Sequence, residues 1–202
     1  MRLYYSKAAC SLAVRIVINE LGLSSDYVAV NLKDKKTENG EDYLSINPKG
    51  AVPALLTDHG EVLTENNVIQ QYLADHAKAF KLLPPQDDFN RYRVLEWSNY
   101  VSTELHKNCG ALFNSTITQE LKDTIFIPML KKKLDFINDR LSASSYLAGD
   151  HFTLADAYAF VVLNWMSIFA IDLKDWPAIA TYFHEVEQRA SVQKSLREEG
   201  LR

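Results

Sequence analysis

Cys10 stands where a short extended run, RLYY at residues 2–5, gives way through Ser6-Lys7-Ala8-Ala9 to a helical stretch that opens with Cys10-Ser11. A thiol at a helix N-terminus faces unpaired backbone N–H groups and the positive end of the helix dipole. Both favour thiolate, and such positions lower a cysteine pKa from about 8.5 to ~3.5–7.5. The same N–H groups hold anions. The competing reading is a small apolar residue buried in a core, since free cysteine is among the most buried residue types. On these residues alone, burial ranks first.

Four further groupings could do chemistry. In Asn47-Pro48-Lys49-Gly50-Ala51-Val52-Pro53-Ala54-Leu55, Pro53 precedes an extended run. A cis Val52-Pro53 bond would leave the Val52 N–H and C=O free for a peptide-like ligand, whereas an ordinary trans proline at a strand edge is the commoner case. Glu65-Asn66 lies at a strand-to-helix junction, where an acid beside free N–H groups could grip a ligand carrying both an amine and a carboxylate; helix capping is the plainer reading. Asn99, Thr103 and His106 fall at i, i+4 and i+7 on one helix face, with His106 able to supply charge or a proton near neutral pH. A solvated polar face is the alternative there. Thr153 and Asp156 have capping-box spacing, and for Asp156 the structural reading wins outright.

The elements that must position these groups fall into two sets. In the first eighty residues, strand-like runs at residues 2–5, 26–31 (DYVAVN) and 52–56, and residues 61–63, are separated by helical stretches at 11–21 and 64–76 and a short one near 42–46; Asp58-His59-Gly60 marks a hairpin. This is a strand-helix-strand unit followed by an antiparallel pair. Residues 78–88, with Pro84-Pro85 and Asp87-Asp88, suggest a linker. Beyond it only helical periodicity appears: one helix through Val94, Trp97, Val101, Leu105 and Leu112, and a second through Ile127 to Leu141 that Pro128 should kink or split. An almost wholly apolar central helix follows at 154–170, then one opened by Trp176-Pro177, and a last one at 191–199. The reading is residues 1–78 as an α/β domain, 79–87 as a linker and 88–202 as an all-helical domain.

Composition bounds the function. The chain has 202 residues, 47% hydrophobic and 24% charged, with a net charge of −4. These are ordinary values for a globular protein, and the charge argues against one built around nucleic acid. Its two cysteines, Cys10 and Cys109, are too few for a disulfide framework, which points to a reducing, cytoplasmic setting. The apolar stretch at 154–170 carries Asp156 and Asn164 and is short for a membrane span. No metal site is expected.

Taken together the motifs resemble those of the glutathione transferases, specifically the bacterial β class. The matching stretches are Tyr4-Tyr5-Ser6 with Ala9-Cys10-Ser11-Leu12, then residues 35–40 (KKTENG), Asn47-Pro48-Lys49-Gly50 with Val52-Pro53-Ala54-Leu55, and Leu63-Thr64-Glu65. They continue with residues 71–75 (QYLAD), Glu96-Trp97 with Asn99-Tyr100, residues 103–107 (TELHK) and residues 152–158 (FTLADAY), so that the likeness spans essentially the whole chain.

The resemblance implies a thioredoxin-like α/β N-terminal domain, an all-α C-terminal domain and a homodimer. It also implies glutathione as co-substrate, no permanently bound cofactor, and conjugation of the glutathione thiolate to small hydrophobic electrophiles. Carried over by motif, Cys10 faces the glutathione sulfur, with the Ser11 hydroxyl as its competitor. Lys35 meets the glycyl carboxylate. Val52 pairs its backbone with the cysteinyl part before a cis Pro53, and Glu65 and Asn66 hold the γ-glutamyl end. Asn99, Thr103, Glu104 and His106 act from the first helix of the second domain. Ala51 stands where the class often has glutamine, and Asn66 where a small residue is usual. Two alternatives accompany this reading: glutathione-dependent thiol–disulfide exchange or peroxide reduction through Cys10, and a non-catalytic ligand-binding protein on the same fold. The single cysteine of Ala9-Cys10-Ser11-Leu12 excludes a two-cysteine redox cycle within that motif.

Overall fold

The computed structural model describes residues 1–202, which form two compact units. Residues 1–83 and 189–202 make the first, and residues 84–188 the second. The first is built on a five-stranded sheet in the order β3-β2-β1-β4-β5. Strand β1 (Arg2–Tyr5) lies parallel to β2 (Asp26–Asn31) and antiparallel to β4 (Ala54–Leu56), which pairs with β5 (Val62–Thr64). Alternation along these runs buries Tyr4, Val28, Val30 and Ala54 on one face, where they meet Tyr43 and Val52. Helix α1 (Ser11–Glu20) is buried from Ser11 to Ile18, and α3 (Asn66–His76) buries Ile69 and Leu73. The short α2 (Tyr43–Ile46) starts at Asp42, whose side chain accepts the Leu44 N–H.

Two features of this unit depart from the sequence reading. Residues 33–43 contain a two-residue strand, β3 (Lys36–Thr37), antiparallel to β2; so short a run carries no period. The expected domain of residues 88–202 also loses its end. Helix α10 (Ala190–Glu198) has a strong polar–apolar division and lays its buried face on α1 within the sheet-containing unit. There Arg15, 2% exposed, meets Glu198 at 3.4 Å and Glu199 at 3.2 Å. A buried guanidinium needs such partners, and their placement on α10 ties the last helix to this unit.

In the helical unit, α4 (Asn90–Tyr100) runs into a π-helical segment, Val101–His106, and on into α5 (Lys107–Phe113). A short α6 (Gln119–Leu121) and a second π segment, Lys122–Phe126, precede α7 (Ile127–Ser142). The expected split at Pro128 takes this form: the proline occupies the first turn of α7, where its missing N–H costs nothing. Helix α8 (Leu154–Asn164) is buried almost throughout and sits at the centre. It gives way to a 3₁₀ segment, Trp165–Phe169, before Ala170 turns left-handed, so the apolar stretch is not one helix. The Thr153–Asp156 capping box is formed, and Asp156 also accepts from the Leu147 N–H and the Tyr182 hydroxyl. Helix α9 (Pro177–Glu187) begins at its proline.

Candidate functional site

Cys10 is the N-cap of α1, as its sequence position suggests, yet its chemistry differs from expectation. The partly buried thiol donates to the Val52 carbonyl at 3.2 Å. Burial of the sulfur pushes the Cys10 thiol up to about 11. The Asn66 amide and the backbone N–H groups of Cys10 and Ser11 pull the other way without prevailing. Desolvation of a sulfur anion outweighs the local dipoles here, so the expected helix-promoted thiolate is absent and Cys10 is a thiol donor.

Ser11, the competing hydroxyl, is fully buried. Its Oγ accepts the Ser6 N–H at 3.2 Å and lies 3.3 Å from the Ser6 carbonyl, so it braces the loop between β1 and α1 rather than facing a ligand. The same loop is held at Ala8, whose φ is +60° and whose N–H donates to Glu199 at 2.9 Å. Glu199 is clamped in turn by Arg15, whose guanidinium lies 3.7 Å from the Tyr27 ring centroid and 4.3 Å from that of Tyr5. Sequence reasoning missed Arg15 and Glu199; an arginine on the apolar face of α1 was the available signal.

The peptide bond between Val52 and Pro53 is cis. The Val52 N–H has no partner within the chain, while its C=O accepts from Cys10. The preceding loop is stiffly built. Tyr43 and Asn47 side chains both donate to the Ala51 carbonyl, at 2.8 and 2.7 Å, and Gly50 takes a left-handed φ of +60°. Lys35, at φ +54°, donates its ammonium to the Gly50 carbonyl at 2.7 Å.

Glu65 is the N-cap of α3 at φ +73°, a left-handed conformation that costs an ordinary side chain free energy. Its carboxylate caps nothing; it takes Lys49 Nζ at 2.5 Å instead. The plain capping reading of this junction therefore fails for Glu65. The Asn66 side chain turns inward, donating to the Cys10 carbonyl at 2.6 Å and accepting from Gln70. Only its main-chain N–H, free at the first turn of α3, remains for a ligand.

In the helical unit the expected stripe breaks up. Asn99 and Thr103 are exposed, with the Thr103 hydroxyl bonded back to the Asn99 carbonyl at 3.0 Å. His106 is rotated out of their face because the intervening turn is π-helical, wider than the α spacing assumed. Its Nδ1 lies 2.5 Å from the Tyr158 hydroxyl, and its ring packs edge-on to Trp165 at 4.9 Å. Burial, aided by Lys107, holds the imidazole below its ordinary value. Glu104 is ion-paired with Lys133 of α7, which holds its carboxyl below the usual range. Cys109 is fully buried, and burial pushes its thiol up to about 12, which makes it inert. Ring contacts continue from Trp165 to Phe113 and Phe169. They end at a hollow of about 390 Å³ with mixed walls, apolar at Leu112, Phe113, Ile127 and Phe169 and polar at Gln119 and Lys122.

A mixed sheet with a thiol loop and a cis-proline corner, joined in one chain to a helical unit, defines the glutathione transferase architecture. Residues 2–75 match the glutathione S-transferase N-terminal domain and residues 122–190 the C-terminal domain. The chain is 43% identical over 202 residues to the glutathione S-transferase GstA of Escherichia coli O157:H7, with 100% of both chains covered. It superposes with a TM-score of 0.96 on the bacterial beta class glutathione S-transferase of Sphingomonas chungbukensis, at 37% identity over 100% of both chains. A sphingomonad glutathione S-transferase solved in complex with glutathione gives 0.95 at 38% identity, again over 100% of both. The chain belongs to the glutathione S-transferase family, in its bacterial β class, and is a transferase. No helix is long and apolar enough to cross a membrane.

Proposed function

We propose that this enzyme conjugates the glutathione thiolate to small hydrophobic electrophiles, with the Cys10 S–H as a hydrogen-bond donor to the reacting thiolate. The observation that carries this reading is the Cys10 Sγ to Val52 carbonyl contact of 3.2 Å. It sets a protonated thiol beside the backbone position whose free N–H suits a peptide ligand. On this reading the single Cys10 proton turns from the Val52 carbonyl to the ligand sulfur when glutathione enters, and a donor so placed stabilises the thiolate without becoming the nucleophile. Lys35 offers an ammonium for the glycyl carboxylate, and Glu65 with the Asn66 N–H offers complementary charge for the γ-glutamyl end. Asn99, Thr103 and His106 are carried forward as ligand residues on the resemblance alone, whereas Glu104 has Lys133 as its partner.

The aromatic cluster of Trp165, Phe113 and Phe169 supports a small hydrophobic acceptor, and Gln119 and Lys122 in the adjoining hollow suit one that also carries polar groups. Thiol–disulfide exchange through Cys10 is disfavoured. With the thiol near 11, roughly one molecule in 10⁴ carries the thiolate at pH 7. A homodimer and a role in detoxification in the cytoplasm complete the reading. Support for the dimer comes from an aromatic face of the helical unit, where exposed Phe136 packs on half-buried Trp97 and Tyr100 beside Arg93, Glu96 and Arg140. Charges of both signs on one patch suit a two-fold self-complementary contact.

The test is calorimetric titration with glutathione together with turnover of a chloronitrobenzene acceptor. Binding with turnover supports transfer. Binding without turnover of any electrophile or peroxide would move the reading to a ligand-binding protein.

A further inference from the structure

Lys49 and Glu65 form an exposed ion pair at the mouth of the loop that also carries Val52. Lys49 Nζ lies 2.5 Å from Glu65 Oε1 and 2.9 Å from Thr64 Oγ1, with the two side chains 56% and 65% exposed. The lysine backbone is fixed by its N–H bond to Asn47 Oδ1 at 3.1 Å, so the long side chain alone is free to swing. Its partner sits at a left-handed N-cap and makes no cap bond, so nothing in the fold requires that carboxylate where it is. Asn66, the next residue, has its side-chain amide engaged inside by Cys10 and Gln70, so that only its main-chain N–H can meet a ligand carboxylate.

An adjacent ammonium and carboxylate are the charge complement of an α-amino acid, which carries one of each on a single carbon. We propose that Lys49 is a glutathione-binding residue. On this reading the α-amino-acid end of the γ-glutamyl group inserts into the Lys49–Glu65 pair, its ammonium taking Glu65 and its carboxylate taking Lys49. One exposed ion pair is exchanged for two, and the displaced lysine remains engaged. The site thereby selects ligands that present both charges, since a ligand with only one leaves either Lys49 or Glu65 without its new partner. The inference rests on the proposal that Glu65 holds the γ-glutamyl end, and it assigns to Lys49 the carboxylate contact that the inward-turned Asn66 side chain cannot make.

The experiment is calorimetry of wild type and Lys49→Met with glutathione and with two truncated analogues. One is 4-aminobutanoyl-Cys-Gly, which lacks the α-carboxylate, and the other is glutaryl-Cys-Gly, which lacks the α-amine. In the variant glutathione breaks no pair and gains one, to Glu65, the same net gain as in wild type, so its affinity should change by less than about twofold. The analogue without the carboxylate must break the Lys49–Glu65 pair of wild type to reach Glu65 but meets a free carboxylate in the variant, so it should bind the variant up to about fivefold tighter, the scale of one exposed ion pair. Equal tightening of glutathione and of that analogue in the variant would show that Lys49 only competes for Glu65 and would overturn the assignment, as would an analogue affinity unchanged between the two proteins. Glutaryl-Cys-Gly separates the two levels of the argument. Weak binding by wild type supports Glu65 as the ammonium partner, and binding as tight as glutathione's removes that partner and the exchange with it. Failure of wild type to bind glutathione overturns the reading beneath both.

Discussion

Asn66 Nδ2 donates to the Cys10 carbonyl at 2.6 Å, joining the first turn of α3 to the first turn of α1. The residue expected to grip the ligand with its side chain instead holds in place the peptide unit that carries the thiol. It also lowers the Cys10 pKa, though burial wins. The amide is buried and its oxygen is taken by Gln70, so neither end faces water.

Replacing Asn66 with alanine removes both bonds and leaves the Gln70 amide without its partner. Loss of buried hydrogen bonds of this kind costs about 1–3 kcal/mol. In a chain of this length that corresponds to a fall in Tm of about 2–12 °C. Differential scanning calorimetry should show this, together with a raised KM for glutathione. An unchanged Tm would mean that the contact contributes little.

Cys10 should alkylate slowly at neutral pH. Because burial pushes its thiol up to about 11, the rate with iodoacetamide should rise about tenfold per pH unit through the neutral and alkaline range, levelling only near that value. Mass spectrometry of the modified peptide reads this directly, with the buried Cys109 as an internal control that stays unmodified in the native state. A plateau below pH 8 would restore the thiolate reading.

Cys10→Ser keeps a donor at the same place, whereas Cys10→Ala removes it. The expected order of kcat for conjugation is wild type near Cys10→Ser, with Cys10→Ala lower by about tenfold, a modest loss suited to a weak S–H donor. Steady-state kinetics with a chloronitrobenzene acceptor test the order. Equal rates for serine and alanine variants would remove the donor role.

His106→Asn should lower the conjugation rate and also change the dependence of stability on pH. Burial holds the folded imidazole below about 6.5, the value it regains on unfolding. In the window beneath 6.5 the unfolded chain therefore binds more protons, and wild-type stability falls as pH falls through it. The variant lacks this linkage. Its Tm deficit against wild type should be larger at pH 7.5 and narrow by pH 5.5.

Phe136→Glu places a charge in the aromatic face formed with Trp97 and Tyr100. If that face joins two copies, sedimentation velocity will show a shift to monomer at concentrations where wild type is dimeric.

Much of the architecture was legible as period and punctuation. The alternation DYVAVN marks β2, Asp58-His59-Gly60 marks the hairpin, Trp176-Pro177 opens α9, and Thr153 with Asp156 caps α8. Less of the candidate site was legible. The stripe of Asn99, Thr103 and His106 assumed α spacing, and a π-helical turn moved the histidine against Tyr158. The two-residue β3 is too short to carry a pattern. The attachment of α10 to α1 depends on which partner Arg15 finds, and no local signal encodes that.

The amino-acid sequence by itself determined the family, the order of elements and the thiol at the start of α1, because those follow from local periodicity and from motifs at fixed spacing. Only the tertiary structure decided the state of that thiol. Its pKa is set by how much water the folded chain removes from the sulfur against the opposing pull of the Asn66 amide, and its hydrogen-bond partners Val52 and Asn66 are brought to Cys10 from 42 and 56 residues away. The same holds for Lys49 and Glu65, whose pairing is a matter of where a loop and a helix end meet.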